Sequence, residues 1–274
     1  MRVRVRYFQQ QKEQGRPLVM LTAYDATSAR IAEQAGIQLL LVGDTLGMVV
    51  QGYDTTVHVT LDEMLYHTQL VVRGTEHAFV IGDLPFMTYN VSAEQALTNA
   101  ARFIQQAGAQ SVKLEGGRQI APTIRRLVDN GIPVMAHIGL TPQSVLQLGG
   151  WRVQGNTQAD AARLLDDARA VEDAGAYAVV LELVPAELAS LISTRLRIPT
   201  IGIGAGPGCD GQVQVFHDIL GLFEAFVPKH TRQYAQLGST MRSAISAYKT
   251  EVEQRQFPTS QHAPSMDATL LAAL

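Results

Sequence analysis

Short, almost continuously apolar runs recur along this chain, and most are separated by a stretch with helical periodicity. The runs are Pro17–Asp25, Leu39–Asp44, Phe79–Asp83, Ser111–Glu115, Pro133–Ile138, Ala178–Val184, Pro199–Ile203 and a weaker Gln212–Phe216. A strand apolar on both faces needs cover on both faces, which is the condition of a parallel sheet wrapped by helices. Helices are expected over Thr27–Ala35, Leu61–Arg73, Ser92–Ala107, Ile120–Asn130, Asp160–Ala174 and Ala186–Arg195. Thr60 stands three residues before Glu63 as in a capping box, and Ser92 is a ready N-cap. Several helices leave through Gly36, Gly108, Gly131 or Gly175, as helix ends commonly do. An open doubly wound sheet and a closed barrel share this alternation. Eight units, and the lack of a nucleotide-type Gly turn after the first strand, favour a (βα)8 TIM barrel, for which 274 residues is an ordinary length. The expectation is one domain over 1–274, with the barrel at about 17–230 and a helical extension and tail at about 231–274.

Charge and cysteine content narrow the partners. With 22 basic and 25 acidic residues the net charge is −3, and nothing points to nucleic acid or an anionic membrane. Arg2, Arg4 and Arg6 alternate on a short strand-like run, a pattern expected of a solvated edge. Cys209 is the only cysteine, which fits a reducing compartment. No apolar run reaches membrane-spanning length and the first residues have no signal-peptide core, so a cytoplasmic protein is expected. Past the eighth strand, Tyr234–Phe257 places Met241, Ile245, Tyr248 and Val252 on one helical face, expected to pack on the barrel exterior. Residues Ala268–Leu274 suit either a short helix at a subunit contact or a disordered end.

Polar residues gather at one end of the strands. Tyr24 and Asp25 end the first, Asp44 the second, Asp83 the third, Lys113 and Glu115 the fourth, His137 the fifth and Glu182 the sixth. In a barrel this C-terminal end carries the chemistry. Side chains alternate along a strand, so Lys113 and Glu115 share a face. An internal salt bridge would explain that pair alone, but buried acids from several strands are rare without partners. Asp44, Asp83 and Glu115 are hard oxygen ligands suited to Mg2+, and no Cys pair or His-x-x-x-His motif competes for zinc. Mg2+ with open positions can chelate a 2-oxo acid and lower the energy of the enolate formed on deprotonation beside its carbonyl. Lys113 would add positive charge near the substrate carboxylate. Glu182, desolvated in an apolar strand, is a natural general base, and His137, one strand nearer, is its rival.

Seven stretches in order carry a family resemblance. They are Val42-Gly43-Asp44-Thr45, Gly52-Tyr53-Asp54-Thr55-Thr56, Tyr66-His67-Thr68, Gly82-Asp83-Leu84-Pro85-Phe86, Val112-Lys113-Leu114-Glu115-Gly116-Gly117, the run from His137 to Ser144, and the run from Ile203 to Gly211. From about Leu18 to Pro258 the chain resembles the ketopantoate hydroxymethyltransferase family. The resemblance implies a Mg2+-dependent (βα)8 barrel of the phosphoenolpyruvate-mutase type. The implied reaction moves a hydroxymethyl group from methylenetetrahydrofolate to 3-methyl-2-oxobutanoate, giving 2-dehydropantoate for pantothenate synthesis. By position it implies Asp44, Asp83 and Glu115 as metal ligands, Asp44, Thr45, Asp83 and Lys113 as oxo-acid contacts, and Glu182 as the proton acceptor. His137, Tyr24 and Asp25 would be supports. It also implies a homo-oligomer, a decamer of two pentameric rings. Thr45 stands where the family usually has Ser and keeps the hydroxyl; His58 stands where it commonly has Pro.

Two rival readings stay open at this point. A mutase or carbon–carbon lyase of the same superfamily would share Mg2+ and an oxo acid, but a lyase typically has a Cys-bearing catalytic loop, whereas Cys209 lies in the Gly-rich segment after the seventh strand. A dead barrel used as a binding scaffold would be expected to have lost one of the acids at 44, 83, 115 and 182, and all four are present. The glycines at 202, 204, 206 and 208 do not form G-x-G-x-x-G, because position 207 is proline. They are expected to allow close backbone approach at the pocket rim, beside the folate.

Overall fold

The alternation closes on itself. The computed structural model of the protein describes residues 1–223 and 226–274. Its strands are β1 (Leu18–Thr22), β2 (Leu39–Val42), β3 (Phe79–Asp83), β4 (Ser111–Glu115), β5 (Val134–Gly139), β6 (Ala178–Glu182), β7 (Thr200–Ile203) and β8 (Gly211–Gln214). They form a closed parallel barrel in chain order, with β1 hydrogen-bonded to β2 on one side and to β8 on the other, Leu18 opposite Gly211 and Leu21 opposite Gln214.

The helices are α1 (Arg6–Glu13), α2 (Ala26–Gln34), α3 (Leu46–Val49), α4 (Leu61–Gly74), α5 (Ala93–Gln105), α6 (Ala121–Asp129), α7 (Val145–Leu148), α8 (Gln158–Asp173), α9 (Ala186–Arg195), α10 (Phe216–Ile219), α11 (Leu237–Glu253) and α12 (Ala268–Ala272). The Thr60–Glu63 capping box and the Ser92 cap form as expected. Gly36, Gly108, Gly131 and Gly175 all take left-handed φ at the helix exits. Two compact units result. One holds residues 1–216 and 228–231, with the barrel; the other holds 217–227 and 232–274.

The barrel interior is filled in layers by Leu18, Met20, Leu39, Leu41, Phe79, Ile81, Met135, Val180, Ile201 and Val213. Its lower end is closed by a device the sequence pattern hides. Residues 1–5 with their alternating Arg read as strand-like, yet a helix starts at Arg6 and drives Phe8 into the core, fully buried, edge-on to Phe79 at 5.3 Å and to Tyr177 at 4.8 Å. Such aromatic pairs add to area burial. Arg2 is not on a solvated edge either. Its guanidinium donates to the carbonyls of Val72, Thr75 and Ala78, anchoring the chain start to the end of α4. Arg4 and Arg6 are exposed, as expected.

Other boundaries shift for local reasons. β1 stops at Thr22 because Asp25 caps α2, its carboxylate accepting from the Thr27 and Ser28 amides. β8 ends at Gln214, and Phe216 already opens α10. The long loop after β2 contains α3 and a 3-10 turn at Thr56–His58. In the second unit, α11 forms where the periodicity places a helix, and Met241, Ile245, Tyr248 and Val252 are exposed on it.

Candidate active site

Inward-facing positions alternate along each strand, so the residues that follow the apolar layers toward the C-terminal end meet in one space. Asp83 and Lys113 are register partners on β3 and β4, and Glu115 and His137 are partners on β4 and β5. Asp44 follows β2 in the tight turn before α3, and Glu182 ends β6. Together with Thr22, Thr45, Pro142 and Ile203 they line a cavity of about 50 Å3.

Lys113 Nζ lies 2.8 Å from Asp83 Oδ1 and 3.8 Å from Glu115 Oε1, and all three side chains are buried. The Asp44 amide donates to Asp83 Oδ2 at 3.3 Å. His137 stands between two acids, with Nδ1 3.5 Å from Glu115 Oε1 and Nε2 3.3 Å from Glu182 Oε2. Glu182 is the most accessible of the four acids, its side chain 14% exposed against 3% for Glu115 and 1% for Asp83.

Burial and mutual repulsion set the charges here. Desolvation, with the charges of Asp83 and Glu115, holds the Asp44 carboxyl well above its ordinary range, although Lys113 and the Gln143 amide oppose this. Desolvation also raises Asp83, against the pull of Lys113. For Glu115 desolvation is outweighed by the His137 hydrogen bond and the Lys113 charge, so its carboxyl is lowered. Burial works against charge on Lys113, but Asp83, Glu115 and Asp44 outweigh it and raise the ammonium. Burial and Lys113 likewise oppose charge on His137; hydrogen bonds to Glu115 and Glu182 prevail and lift it to about 9. The mouth is thus a network of acids knitted by two cations.

The donor set fits a hard divalent cation in its chemistry, since Asp44, Asp83 and Glu115 offer only carboxylate oxygens. Asp83 Oδ1 and Glu115 Oε1 are moreover buried without a hydrogen bond of acceptable geometry, the ion pair with Lys113 being poorly angled. Among the described residues, however, no three His, Cys, Asp or Glu side chains already form a cage. Asp83 and Glu115 are turned on Lys113 instead, and would have to swing from it to share a cation.

Of the sequence-derived candidates, Asp44, Thr45, Asp83, Lys113, Glu115, His137 and Glu182 are brought together. Tyr24 and Asp25 are not. Asp25 is spent on its helix cap, and the buried Tyr24 lies off the cavity, its carbonyl contacting His67 Nδ1 at 2.6 Å. Of the glycines around β7, Gly204 and Gly206 line a second cavity with His230, and Gly206 and Gly208 permit close approach to a helix. A Cβ on Gly206 would come within 2.5 Å of Ala186, and one on Gly208 within 2.7 Å of Ser190, both on α9. Two residues in contact with the acids were not singled out from the sequence, although Gln143 lies within the His137–Ser144 stretch. Gln143, in the turn after β5, and Tyr89, in the loop after β3, are buried beside Asp44 and Glu115. A lone Gln or Tyr in a loop has no periodicity to expose it.

Solved structures place this architecture. A phosphonopyruvate hydrolase superposes with TM-score 0.60 at 13% identity, covering 100% of this chain and 95% of that one. A 2,3-dimethylmalate lyase, described as a phosphoenolpyruvate mutase/isocitrate lyase superfamily member, does so with TM-score 0.57 at 18% identity, covering 100% and 94%. The fold is therefore a (βα)8 barrel, the architecture these proteins share. Within that class sequence is more specific. A family model for ketopantoate hydroxymethyltransferase matches residues 2–260. The 3-methyl-2-oxobutanoate hydroxymethyltransferase of Chloroflexus aurantiacus is 60% identical over 100% of this chain and 96% of its own length. The enzyme of the same description from Dehalococcoides mccartyi is 56% identical over 100% and 97%. The chain belongs to the ketopantoate hydroxymethyltransferase family.

Proposed function

We propose that this protein transfers a hydroxymethyl group from methylenetetrahydrofolate to 3-methyl-2-oxobutanoate, giving 2-dehydropantoate. The observation that carries the reading is the meeting of Asp44, Asp83, Lys113, Glu115, His137 and Glu182 in one cavity of a chain related over its whole length to enzymes of that description. Asp44, Asp83 and Glu115 would hold Mg2+, and when bound the ion supplies charge that eases proton removal beside a carbonyl. Asp44, Thr45, Asp83 and Lys113 would contact the oxo acid, the ammonium offsetting its carboxylate.

Glu182 takes the proton from C3 of the oxo acid, and C3 then bonds to the one-carbon unit, whose two bonds to folate nitrogens are replaced by the new C–C bond and a hydroxyl from water, releasing tetrahydrofolate. Two features support Glu182 over His137. Glu182 is the more accessible of the two, and both ring nitrogens of His137 already face acids, so that His137 is placed to hold and orient Glu182. Cys209 does not line the cavity, which removes the ground for a cysteine-dependent lyase reading.

The acting form is proposed to be a cytoplasmic homo-oligomer, a decamer by family resemblance. The exposed apolar face of α11 and the 57% exposure of Val19 on a barrel strand support association, since isolated chains rarely leave such surface uncovered. No helix among the described residues is long and apolar enough to cross a membrane. The test is incubation with the oxo acid, methylenetetrahydrofolate and Mg2+, following 2-dehydropantoate by mass spectrometry. Product is expected; none, with a verified family member active in parallel, refutes the reading.

A further inference from the structure

We propose that Gln143 and Tyr89 are positioning residues that fix which carboxylate oxygens of Asp44 and Glu115 are left free to take a divalent cation. This rests on the metal reading above. The Gln143 side chain is 5% exposed and its amide has no slack. Its Nε2 donates to Asp44 Oδ2 at 2.8 Å and to the Leu84 carbonyl at 3.0 Å, while its Oε1 accepts from the Tyr89 hydroxyl at 2.7 Å. Turning the amide over would set its oxygen against the Leu84 carbonyl, which cannot donate. One orientation is thereby imposed.

The same residue holds the second acid. The Gln143 backbone N–H donates to Glu115 Oε2 at 3.0 Å, and the Glu115 backbone N–H donates to the Tyr89 oxygen at 3.2 Å. Gln143 therefore binds one oxygen of each carboxylate, Oδ2 of Asp44 and Oε2 of Glu115. The oxygen left over on Glu115, Oε1, is buried without a hydrogen bond of acceptable geometry. Tyr89 completes the circuit by locking both the Gln143 amide and the Glu115 backbone. Acids from two different βα units are thus held through one residue, which leaves fewer side-chain rotamers for a cation to order.

Outer partners of this kind commonly set metal affinity by about 10–100-fold. The probe is Mn2+, titrated into the full-length metal-free protein without substrate and read by calorimetry and by the electron paramagnetic resonance spectrum of the bound ion. Tyr89→Phe removes one hydroxyl and Gln143→Leu removes the amide at similar volume. Both are expected to weaken Mn2+ by about tenfold or more and to broaden the bound-ion lines, with far-UV circular dichroism unchanged. Asn99→Ala is the control. Asn99 Nδ2 donates to the Thr88 carbonyl at 2.6 Å, so its loss loosens the same loop without touching the circuit, and it is expected to bind Mn2+ normally. Equal affinity in Tyr89→Phe and wild type overturns the inference and leaves the metal reading standing. Equal weakening in Asn99→Ala and Tyr89→Phe also overturns it, because loop order alone then explains the loss. A wild-type protein that binds no Mn2+ overturns the metal reading itself, and the inference with it.

Discussion

Replacing Lys113 by Met isolates what the buried ammonium does for the fold. Met keeps the length of the side chain and removes its charge. Nζ sits 2.8 Å from Asp83 Oδ1 and 3.8 Å from Glu115 Oε1, with the lysine 4% exposed and the two acids 1% and 3%. Removing one partner of so buried a set leaves uncompensated charge, which costs about 3–5 kcal/mol. That is a large part of the roughly 5–15 kcal/mol that holds a domain together, and at about 2–4 °C per kcal/mol it lowers the melting temperature by roughly 6–20 °C. The pH dependence has a definite sign. Asp44 and Asp83 already have raised carboxyl pKa values in the fold, so the stability they contribute is present at low pH and is lost as pH rises through their folded values. Without Lys113 those values rise further. The gap between variant and wild type is therefore widest at neutral pH and narrows as pH falls toward the ordinary carboxylate range. Urea unfolding at a series of pH values, followed by near-UV circular dichroism, reads both effects. A loss under about 1 kcal/mol at pH 7, or a gap that stays flat with pH, would show that the lysine is not balancing buried carboxylates.

Other expectations test the site and the plug separately. Glu182→Gln is expected to slow exchange of the oxo-acid C3 proton with deuterated solvent by about 10²–10⁴; normal exchange in this variant together with loss in His137→Asn would assign the base to His137. Chelation is expected to abolish product formation and Mg2+ to restore it, while Asp83→Ala stays folded but no longer binds the oxo acid in a metal-dependent way, as calorimetry would report. Phe8→Ala empties a fully buried site at the closed end of the barrel and is expected to cost about 3–5 kcal/mol in urea unfolding, with product formation per folded molecule unchanged. A fall in that specific activity would mean the plug reaches the chemistry at the other end.

The strands and the cluster were legible because both follow from period. Apolar runs such as Leu39–Val42 and Phe79–Asp83 admit little else in a helix-separated chain, and a barrel sends whatever follows them to one end. Identity of the acids was therefore enough to bring Asp44, Asp83, Glu115 and Glu182 together. What the period does not encode was not legible. An internal salt bridge of Lys113 with its strand neighbour Glu115 could be read from the alternation, but the closer pairing with Asp83 on the adjacent strand could not. Arg2 looks solvated because its acceptors, the carbonyls at the end of α4, lie some seventy residues away and are backbone atoms common to any sequence. Gln143 and Tyr89 reach their partners through hydrogen bonds between residues far apart in the chain, which leave no local pattern. Asp25 misled for the opposite reason: its position after a strand suits a site, but its local bonds to Thr27 and Ser28 suit a cap better.

The pairing of β1 with β8 bears on how the chain is made. At about 5–20 residues per second, the roughly two hundred residues from Leu18 to Gly211 take on the order of 10–40 s to emerge from a ribosome. For all of that time β1 can pair with β2 but offers its other edge, five residues reading Leu18-Val19-Met20-Leu21-Thr22, to any passing chain. The plug cannot shield it, because the pocket for Phe8 needs Tyr177, which is made almost as late. Residues 18–22 are thus the segment most exposed to mispairing during synthesis. The yield of closed barrels becomes a matter of elongation speed and chaperone capture across the middle repeats, independent of how well the finished mouth is built.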